Sequence, residues 1–420
     1  MFRPLFVIFL FRKGKIFMNC FEDLEWRGLI QDISSPELVD KLNEGGLTFY
    51  IGTDPTADSM HIGHYSSFLI CKRLAKYGHH PILLMGGATG LIGDPKPDAE
   101  RPMITYDEVS KNIKGLTKQA KDIFGFEVVN NYDWTRDINV IDFLRDYGKY
   151  FNINYMLDKD KVRSRLDSGI TYAEFSYMIL QALDFLYLYE NKNCTLQVAG
   201  SDQWGNITSG IELIRKKIGK EAYGMVMPLV TDATGKKFGK TEGNALWLDR
   251  SKTSSYELYQ YLINSDDSVV IDYLKKLTFY TKEEIEKIEK EHLNAPEKRY
   301  AQQKLAEDII TVLHGKDAYM EALTISRALF SNDIKNLTDS QIKDAFKNFD
   351  KIKTDMSKPI IDILVDNKIA SSRREAREFL SNNAITLNGE VISDENYVID
   401  NDKKYNIIRR GKKKYFVLER

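Results

Sequence analysis

A chain of 420 residues is too long for one small core and calls for about two to four domains. Lys and Arg number 60 against 61 Asp and Glu, so whole-chain charge excludes neither a polyanionic nor a neutral partner, and only local patches can decide. Cys20, Cys71 and Cys194 lie far apart with no CxxC pair, which argues against a zinc site or a disulfide framework and for a reducing cytoplasm. Pro4 to Phe11 is apolar but too short to span a bilayer. Its basic residues Arg12, Lys13 and Lys15 follow the apolar run rather than precede it, and no small-residue cleavage site comes after. The segment has no acidic residue, as a transit peptide would, but it lacks serine; residues 1–17 are set aside as a non-native or disordered extension with a transit peptide as the alternative, and the folded chain is expected to begin at Met18.

In chain order, the first clear element is a helix over 34–46. Ser34 or Ser35 can cap it, Pro36 suits its first turn, Leu38, Val39 and Leu42 repeat helically, and Gly45-Gly46 ends it. Leu47 to Ile51 reads as a strand, Gly52 to Asp58 as a loop, Ile62 to Tyr77 as a helix and Pro81 to Met85 as a buried strand ending in Gly86-Gly87. Strand, loop, helix, strand is a βαβ unit, so the fold class is α/β with a parallel sheet. Thr195 to Val198 is a further strand, ending in Ala199-Gly200-Ser201-Asp202. Ligands of such sheets sit at the carboxyl ends of the strands, where all three candidate loops fall. Residues 246–330 read as a helical domain, 331–356 as a linker or small helix, and 357–420 as a small α+β domain with a hairpin at Asn388-Gly389. The segment before them, 18–245, is the α/β domain.

Three patterns carry chemistry. His61-Ile62-Gly63-His64 opens a helix just after Asp54-Pro55-Thr56. A helix start offers free N–H groups and the positive dipole end to phosphate, and imidazoles at i and i+3 share a face from which they can donate. An isolated HxxH is often only two surface histidines; the strand-exit context makes this one specific. Lys237-Phe238-Gly239-Lys240-Thr241 sets two lysines three apart in a Gly-rich loop, able to neutralise a departing polyphosphate. There is no GxxxxGK[ST] loop. Tyr177, Gln181 and Asp184 fall at i, i+4 and i+7 of an apolar helix and project from one face. A buried Asp there is costly unless it pairs, and Tyr50 on the first strand can meet a ligand hydroxyl alongside it; the blander alternative is a buried helix whose Asp184 caps a neighbour.

These motifs, with Tyr50-Ile51-Gly52-Thr53-Asp54-Pro55-Thr56, Gly86 to Pro95, Tyr177 to Asp184 and Gly200 to Asn206, resemble the bacterial tyrosyl-tRNA synthetases, class I enzymes whose signatures are written HIGH and KMSKS. The resemblance runs from Met18 to Arg420. It implies a Rossmann-like catalytic domain, an α-helical anticodon-side domain and a small ribosomal-protein-type RNA-binding domain. It implies joining of tyrosine to ATP as tyrosyl-adenylate, then transfer to tRNA(Tyr). By the same resemblance Tyr50 and Asp184 would bind the tyrosine hydroxyl, Asp94, Tyr177 and Gln181 its ammonium, and Gln203 would lie near the carboxylate. Asp54, Gly63, Ser67, Gly200 and Asp202 would hold the adenylate or ATP, while Thr56, His61, Lys237, Lys240 and Arg101 would stabilise the phosphates and the catalytic His64 would lie near the ribose. ATP would bring Mg²⁺, with no metal site built from protein ligands. The family implies a cytoplasmic homodimer joined through an insertion at about 125–190, and no membrane association. Two departures stand out: Ile51 replaces a frequent Cys, and Pro95 to Arg101 is short and lacks the usual lysine near Asp98, leaving Lys96 as the one lysine of that loop.

From Lys403 onward eight basic residues (Lys403, Lys404, Arg409, Arg410, Lys412, Lys413, Lys414, Arg420) face one acid, Glu419, and Arg373, Arg374 and Arg377 precede them on a helix. Two clusters in one small domain fit a phosphate-reading surface. Other readings fare worse. A small-molecule nucleotidyltransferase would lack the KFGKT loop and the basic tail, a tryptophanyl enzyme would not need the Tyr50/Asp184 pair, and a non-catalytic RNA binder would be expected to lose the histidines or lysines. Deleting 358–420 is expected to spare adenylate formation and abolish tRNA charging, as an aminoacylation assay beside pyrophosphate exchange would read.

Overall fold

The computed structural model describes residues 18–95, 103–239, 245–400, 402–411 and 414–420. Residues 1–17, Lys96, Arg101, Lys240, Lys412 and Lys413 lie outside the described residues, and with them the expectations placed there. The chain divides into two compact units, Met1–Val230 and Thr231–Arg420. No described helix is long and apolar enough to cross a membrane.

The first unit is built on one sheet. Helix α1 (Cys20–Trp26) starts at a capping box between Asn19 and Glu22. It buries Asp23, whose Oδ1 accepts from Arg27 Nε at 2.7 Å. After the short β1 (Asp32–Ile33), α2 (Glu37–Glu44) buries Leu38 and Leu42 and stops at Gly45, whose φ of 79° an L-residue would resist. Then come β2 (Thr48–Thr53), α3 (Ile62–Lys76), β3 (His80–Met85), α4 (Tyr106–Gln119) and β4 (Glu127–Asn130). The strand expected over 47–51 thus runs on to Thr53, because Gly52 and Thr53 keep pairing with Leu84 and Met85. A single turn, α5 (Tyr132–Thr135), follows β4, and short helices α6 (Val140–Asp142), α7 (Ile153–Leu157) and α8 (Asp160–Arg163) lead to the long α9 (Tyr172–Lys192). The unit closes with β5 (Cys194–Gly200), α10 (Trp204–Ile218) and β6 (Tyr223–Met227).

Sheet order is β1-β6-β5-β2-β3-β4, with every pairing parallel except β1 on β6. The chain runs β2 to β3 to β4 in one direction and then returns to place β5 on the other side of β2. That reversal is a topological switch point, and it opens a crevice at the carboxyl ends of β2 and β5. The α/β parallel sheet expected from the sequence is the one observed.

The second unit starts with helices α11 (Ser255–Ile263), α12 (Asp267–Leu277), α13 (Lys282–Asn294), α14 (Tyr300–His314), α15 (Lys316–Ser331) and α16 (Asp339–Ala345). It continues through β7 (Lys351–Lys353), α17 (Ile360–Asp366), α18 (Arg373–Ser381), β8 (Ile385–Leu387), β9 (Glu390–Val391), β10 (Tyr405–Arg410) and β11 (Lys414–Glu419). The second sheet has the order β7-β11-β10-β8-β9, and the Asn388-Gly389 hairpin joins β8 to β9 as its sequence suggests. Asn388 and Gly389 take φ of 50° and 96°. A Cβ on Gly389 would lie 1.8 Å from the Asn332 carbonyl oxygen, so only glycine fits.

Both faces of this sheet are covered. Ile408, Leu418 and Leu387 pack with α17 and α18 through Ile360, Leu364, Ala376 and Leu380. Tyr405, Ile407 and Val417 pack on the other face with Ile325, Ile334, Leu337, Ile342 and Phe346. The stretch read as a linker or small helix, 331–356, holds the short α16 and supplies part of a core, and its Lys351–Lys353 runs parallel to β11. The apolar residues there are too few per turn to announce a helix, and their burial depends on strands that come about 60 residues later. A chain ended at residue 357 keeps Ile325, Ile334, Leu337, Ile342 and Phe346 but loses the strands that bury them. It is expected to bind a hydrophobic dye and melt several degrees lower, whereas a chain ended at Ser331 is expected to stay dye-negative; thermal unfolding of the two deletions against the full chain tests this.

Candidate active site

At the switch point lies a cavity of about 300 Å³. Tyr50 to Asp54 of β2 and its exit, Leu84 of β3, and Gln197 to Gly200 of β5 form its floor. The wall from α9 supplies Tyr177, Gln181 and Asp184, and the loops supply Thr56, Thr89, Asp94, Asp202 and Gln203. His64 and Ser67 come from the first turns of α3. The expected residues of the first unit that reach this cavity thus converge from five separate stretches of chain.

The helix signal at 177, 181 and 184 holds because α9 is a regular helix of 21 residues capped by Thr171, with its apolar remainder packed on α10 and the sheet. Asp184 is 2% exposed. It is not left alone: Asn131 Nδ2 donates to its Oδ2 and Trp134 Nε1 to its Oδ1, each at 2.9 Å. Burial nevertheless pushes its carboxyl up to about 7, and those two donors limit the rise. Tyr50, 1% exposed, has a buried hydroxyl with no protein partner. No direct bond joins Tyr50 and Asp184; they face the same space. A ligand hydroxyl there meets a carboxylate able to accept from it and an unsatisfied phenol.

A second group of acids stands nearer the mouth. Tyr177 Oη donates to Asp54 Oδ2 at 3.1 Å, and Thr89 Oγ1 to Asp54 Oδ1 at 3.0 Å. Burial and the carboxylates around it raise the Tyr177 phenol well above its ordinary value, so it stays a donor. Asp94, 6% exposed, accepts from Gln203 Nε2 at 3.0 Å and Asn206 Nδ2 at 3.2 Å. Asn206 Nδ2 also lies 3.0 Å from Gln181 Oε1 and from Gln203 Oε1. One amide thus aligns three of the expected residues. Gly86 is required here, since a Cβ would come 2.2 Å from Asp54 Oδ1.

The histidines cap their own helix. His61 Nδ1 accepts from Gly63 N and His64 Nδ1 from His61 N, both at 3.1 Å. Accepting at Nδ1 fixes the neutral tautomer with the proton on Nε2, the nitrogen that then acts as the donor. Burial, then the neighbouring His61, lowers His64 to about 3, so it works uncharged. Gly63 serves the ring as much as any ligand: a Cβ would lie 2.8 Å from His61 Cε1. His61 and Gly63 sit at the helix start beside the cavity-lining His64.

The second unit carries the remaining expectations. Thr231 and Lys237 form an antiparallel bridge across a turn where Asp232 Oδ1 accepts from Thr234 N and Lys236 N. Phe238 is buried against Tyr261 and Tyr273, with centroids at 5.4 and 4.7 Å, and Gly239 N donates to Tyr261 Oη. Phe238 thereby anchors the segment and leaves Lys237 exposed. Of the tail residues, Arg373 pairs with Asp362 and Arg377 with Glu395 at 2.6 Å. Arg410 donates to the Ile369 carbonyl and lies over the Phe379 and Phe416 rings. Arg409 is half-buried; Arg374 and Lys414 are exposed.

Sequence reasoning missed Thr89, Asn131, Trp134, Gln197 and Asn206. Thr89 and Asn206 lie inside quoted motifs. Gln197 lines the cavity with a buried Oε1 that has no protein partner, and it was legible only as the polar residue of an apolar strand. Asn131 and Trp134 follow a short strand and had no local signal; only the need of a buried carboxylate for partners pointed to them. Among the described residues no three His, Cys, Asp or Glu side chains cluster to hold a metal ion.

A parallel sheet with this crevice, opening beside a histidine-capped helix, defines a class I aminoacyl-tRNA synthetase, and residues 42–331 match the family described as tRNA synthetases class I (W and Y). Residues 341–418 match the Tyrosine--tRNA ligase SYY-like C-terminal domain. The chain is 50% identical over 417 residues to Tyrosine--tRNA ligase 1 of Bacillus subtilis (strain 168), covering 95% of this chain and 99% of that protein. It resembles the crystal structure of a C-terminally truncated mitochondrial tyrosyl-tRNA synthetase of Aspergillus nidulans, with TM-score 0.67 and 32% identity, over 74% of this chain and 94% of that one. The Coccidioides posadasii counterpart gives 0.64 and 31%, over 73% and 91%. The chain belongs to the tyrosyl-tRNA synthetase family.

The Asn131 bond to Asp184 is charge-assisted and favours the ionised carboxylate by about 1.5–3 kcal/mol. Asn131→Ala is expected to raise the Asp184 carboxyl from about 7 by about one to two further units, read by NMR titration of the carboxyl carbon.

Proposed function

We propose that the chain activates tyrosine with ATP to tyrosyl-adenylate and pyrophosphate, then esterifies tyrosine to tRNA(Tyr). The observation that carries tyrosine as the substrate is the pairing, in one buried cavity, of a carboxylate held by two donors with a phenol left without a partner. The tyrosine hydroxyl donates to Asp184 and accepts from Tyr50. A phenylalanine would leave the Tyr50 hydroxyl dry and unpaired and remove one hydrogen bond from Asp184, a loss that discriminates strongly against an analogue without the hydroxyl. The ammonium meets Asp94, Tyr177 and Gln181, and the carboxylate lies toward Gln203.

Asp54, Gly200, Asp202 and Ser67 face the adenosine, with Gly63 at the helix start. Thr56, His61 and His64 stabilise charge on the phosphates as the carboxylate attacks the α-phosphorus in line, the imidazoles donating from Nε2. Lys237 and Lys240, with Arg101 from the short loop, neutralise the departing pyrophosphate. Mg²⁺ arrives with the substrate, bound through phosphate oxygens. The catalytic domain spans 18–245, the helical domain 246–330 and the RNA-binding domain 357–420. Arg373, Arg374, Arg377, Arg409, Arg410, Lys412, Lys413 and Lys414 form the RNA-facing set, with Arg374 and Lys414 the most available to phosphate.

We further propose a cytoplasmic homodimer. Val140, Ile141, Ile153 and Tyr172 are 70%, 67%, 63% and 68% exposed within the insertion, an apolar set that a second copy would cover.

Pyrophosphate exchange into ATP, with tyrosine, phenylalanine and tryptophan offered separately, is expected to proceed with tyrosine, about 10⁵-fold less efficiently with phenylalanine and not with tryptophan; exchange with none, in a folded protein, would leave an RNA-binding relative as the better reading. Because Asp184 must be ionised to accept the substrate proton and titrates at about 7, KM for tyrosine is expected to rise as pH falls, by about tenfold from pH 8 to pH 6, while Asp184→Asn flattens that profile.

A further inference from the structure

Asp184 and Tyr187 stand one turn apart on α9, at i and i+3, so their side chains share a face. Trp134 lies across both. The edge of its indole donates Nε1–H to Asp184 Oδ1 at 2.9 Å. Its face stacks on the Tyr187 ring, with centroids 4.3 Å apart and planes 12° from parallel. On another side the indole and Tyr187 border a second cavity of about 390 Å³, lined also by Ile113 and Thr117 of α4, Val129 of β4 and Glu127. The indole is partly buried and also packs against the core cluster that holds Tyr50, Ile82 and Phe185. Its backbone belongs to α5, a single turn of four residues with none of its side chains fully buried. The Tyr187 stack covers one face of the indole while the edge makes the N–H bond to the carboxylate.

We propose that Tyr187 is a positioning residue for amino-acid selection: its ring clamps the Trp134 indole, so that Nε1–H stays on Asp184 and the carboxylate keeps the orientation that accepts a substrate hydroxyl. The inference rests on the reading of Asp184 as the hydroxyl-binding group. The stack needs an aromatic face and not the tyrosine hydroxyl. Without the ring, the indole turns toward the second cavity and takes its hydrogen bond with it. The carboxylate then loses one of its two donors and gains freedom to rotate. A substrate with a hydroxyl suffers; one without it does not.

The test is pyrophosphate exchange in the full-length protein with tyrosine and with phenylalanine, for wild type, Tyr187→Phe, Tyr187→Leu and Asp184→Asn. Tyr187→Leu is expected to raise KM for tyrosine about five- to tenfold with kcat changed less than about twofold, and to leave the phenylalanine reaction where it was. The tyrosine-to-phenylalanine ratio of kcat/KM then drops by the same factor, and Tyr187→Phe restores it. Tyr187→Met fills similar space without a ring and carries the same test if Tyr187→Leu does not fold, as thermal melting would reveal. An unchanged ratio in the ringless variants, while Asp184→Asn collapses it, overturns the role of Tyr187 alone. Equal losses toward both amino acids also overturn it, since they mark a general packing defect. An unchanged ratio in Asp184→Asn overturns the hydroxyl-binding reading, and this inference with it.

Discussion

Removing a carboxylate from water costs several kcal/mol, and the first unit of this protein is arranged around meeting that cost at Asp184. The chain of support is continuous. Asn131, fully buried, gives one amide hydrogen to Asp184 and the other to Thr89 Oγ1, while its Oδ1 accepts from Ala88 N at 2.7 Å. Thr89 in turn donates to Asp54. The carboxylate at the bottom of the cavity is therefore tied through two side chains to the carboxylate at its mouth. The glycines at 86 and 87 are part of the same constraint. A Cβ on Gly87 would lie 2.1 Å from Asn130 Oδ1, so the β3 exit can pass this network only without side chains. A change at Gly87 would be felt at Asp184 without touching it.

How much of this is legible in the sequence depends on whether the information is local. The 3.6-residue spacing of Tyr177, Gln181 and Asp184 is local, and it places all three on the cavity. The strand-loop-helix order around His61 is local, and it places the helix start at the switch point. The partners of Asp184 are not: Asn131 and Trp134 sit about 50 residues upstream on a turn with no periodicity, and nothing but the cost of a lone buried charge pointed to them. The basic tail shows the converse. Composition counts charges but cannot see pairing, so Arg373, Arg377 and Arg410 looked like equals of Arg374 when each has another partner in the fold. The 331–356 segment was read as a linker for the same reason. Its few apolar residues acquire meaning only when β10 and β11 come to lie on them.

The histidine pair illustrates how a capping motif becomes chemistry. A helix N-terminus leaves backbone N–H groups unpaired. Here imidazoles rather than hydroxyls or carboxylates satisfy two of them. A carboxylate cap would put a negative charge where phosphate is to bind. An imidazole cap accepts at Nδ1 and, because it is then neutral with a proton on Nε2, offers a donor on its far side. The same bonds that finish α3 fix the tautomer a phosphate needs.

The cavity is divided by charge. Asp54, Asp94, Asp184 and Asp202 all line it, and among the described residues no Lys or Arg does. Four carboxylates in so small a space hold a potential that repels a triphosphate and attracts an ammonium, so an amino acid can seat deeply while the phosphates must lie elsewhere. The donors suited to phosphate are on the first turns of α3, at the positive end of the helix dipole, where His64 and Ser67 line the cavity. On the proposed reading, the α-phosphorus would lie at the boundary between the two fields, within reach of a substrate carboxylate held by the inner one. Charge released with the leaving group is then moved away from the acids rather than toward them, which favours departure in one direction. The unequal placement of acids and donors orients the reaction before either substrate has made a specific contact.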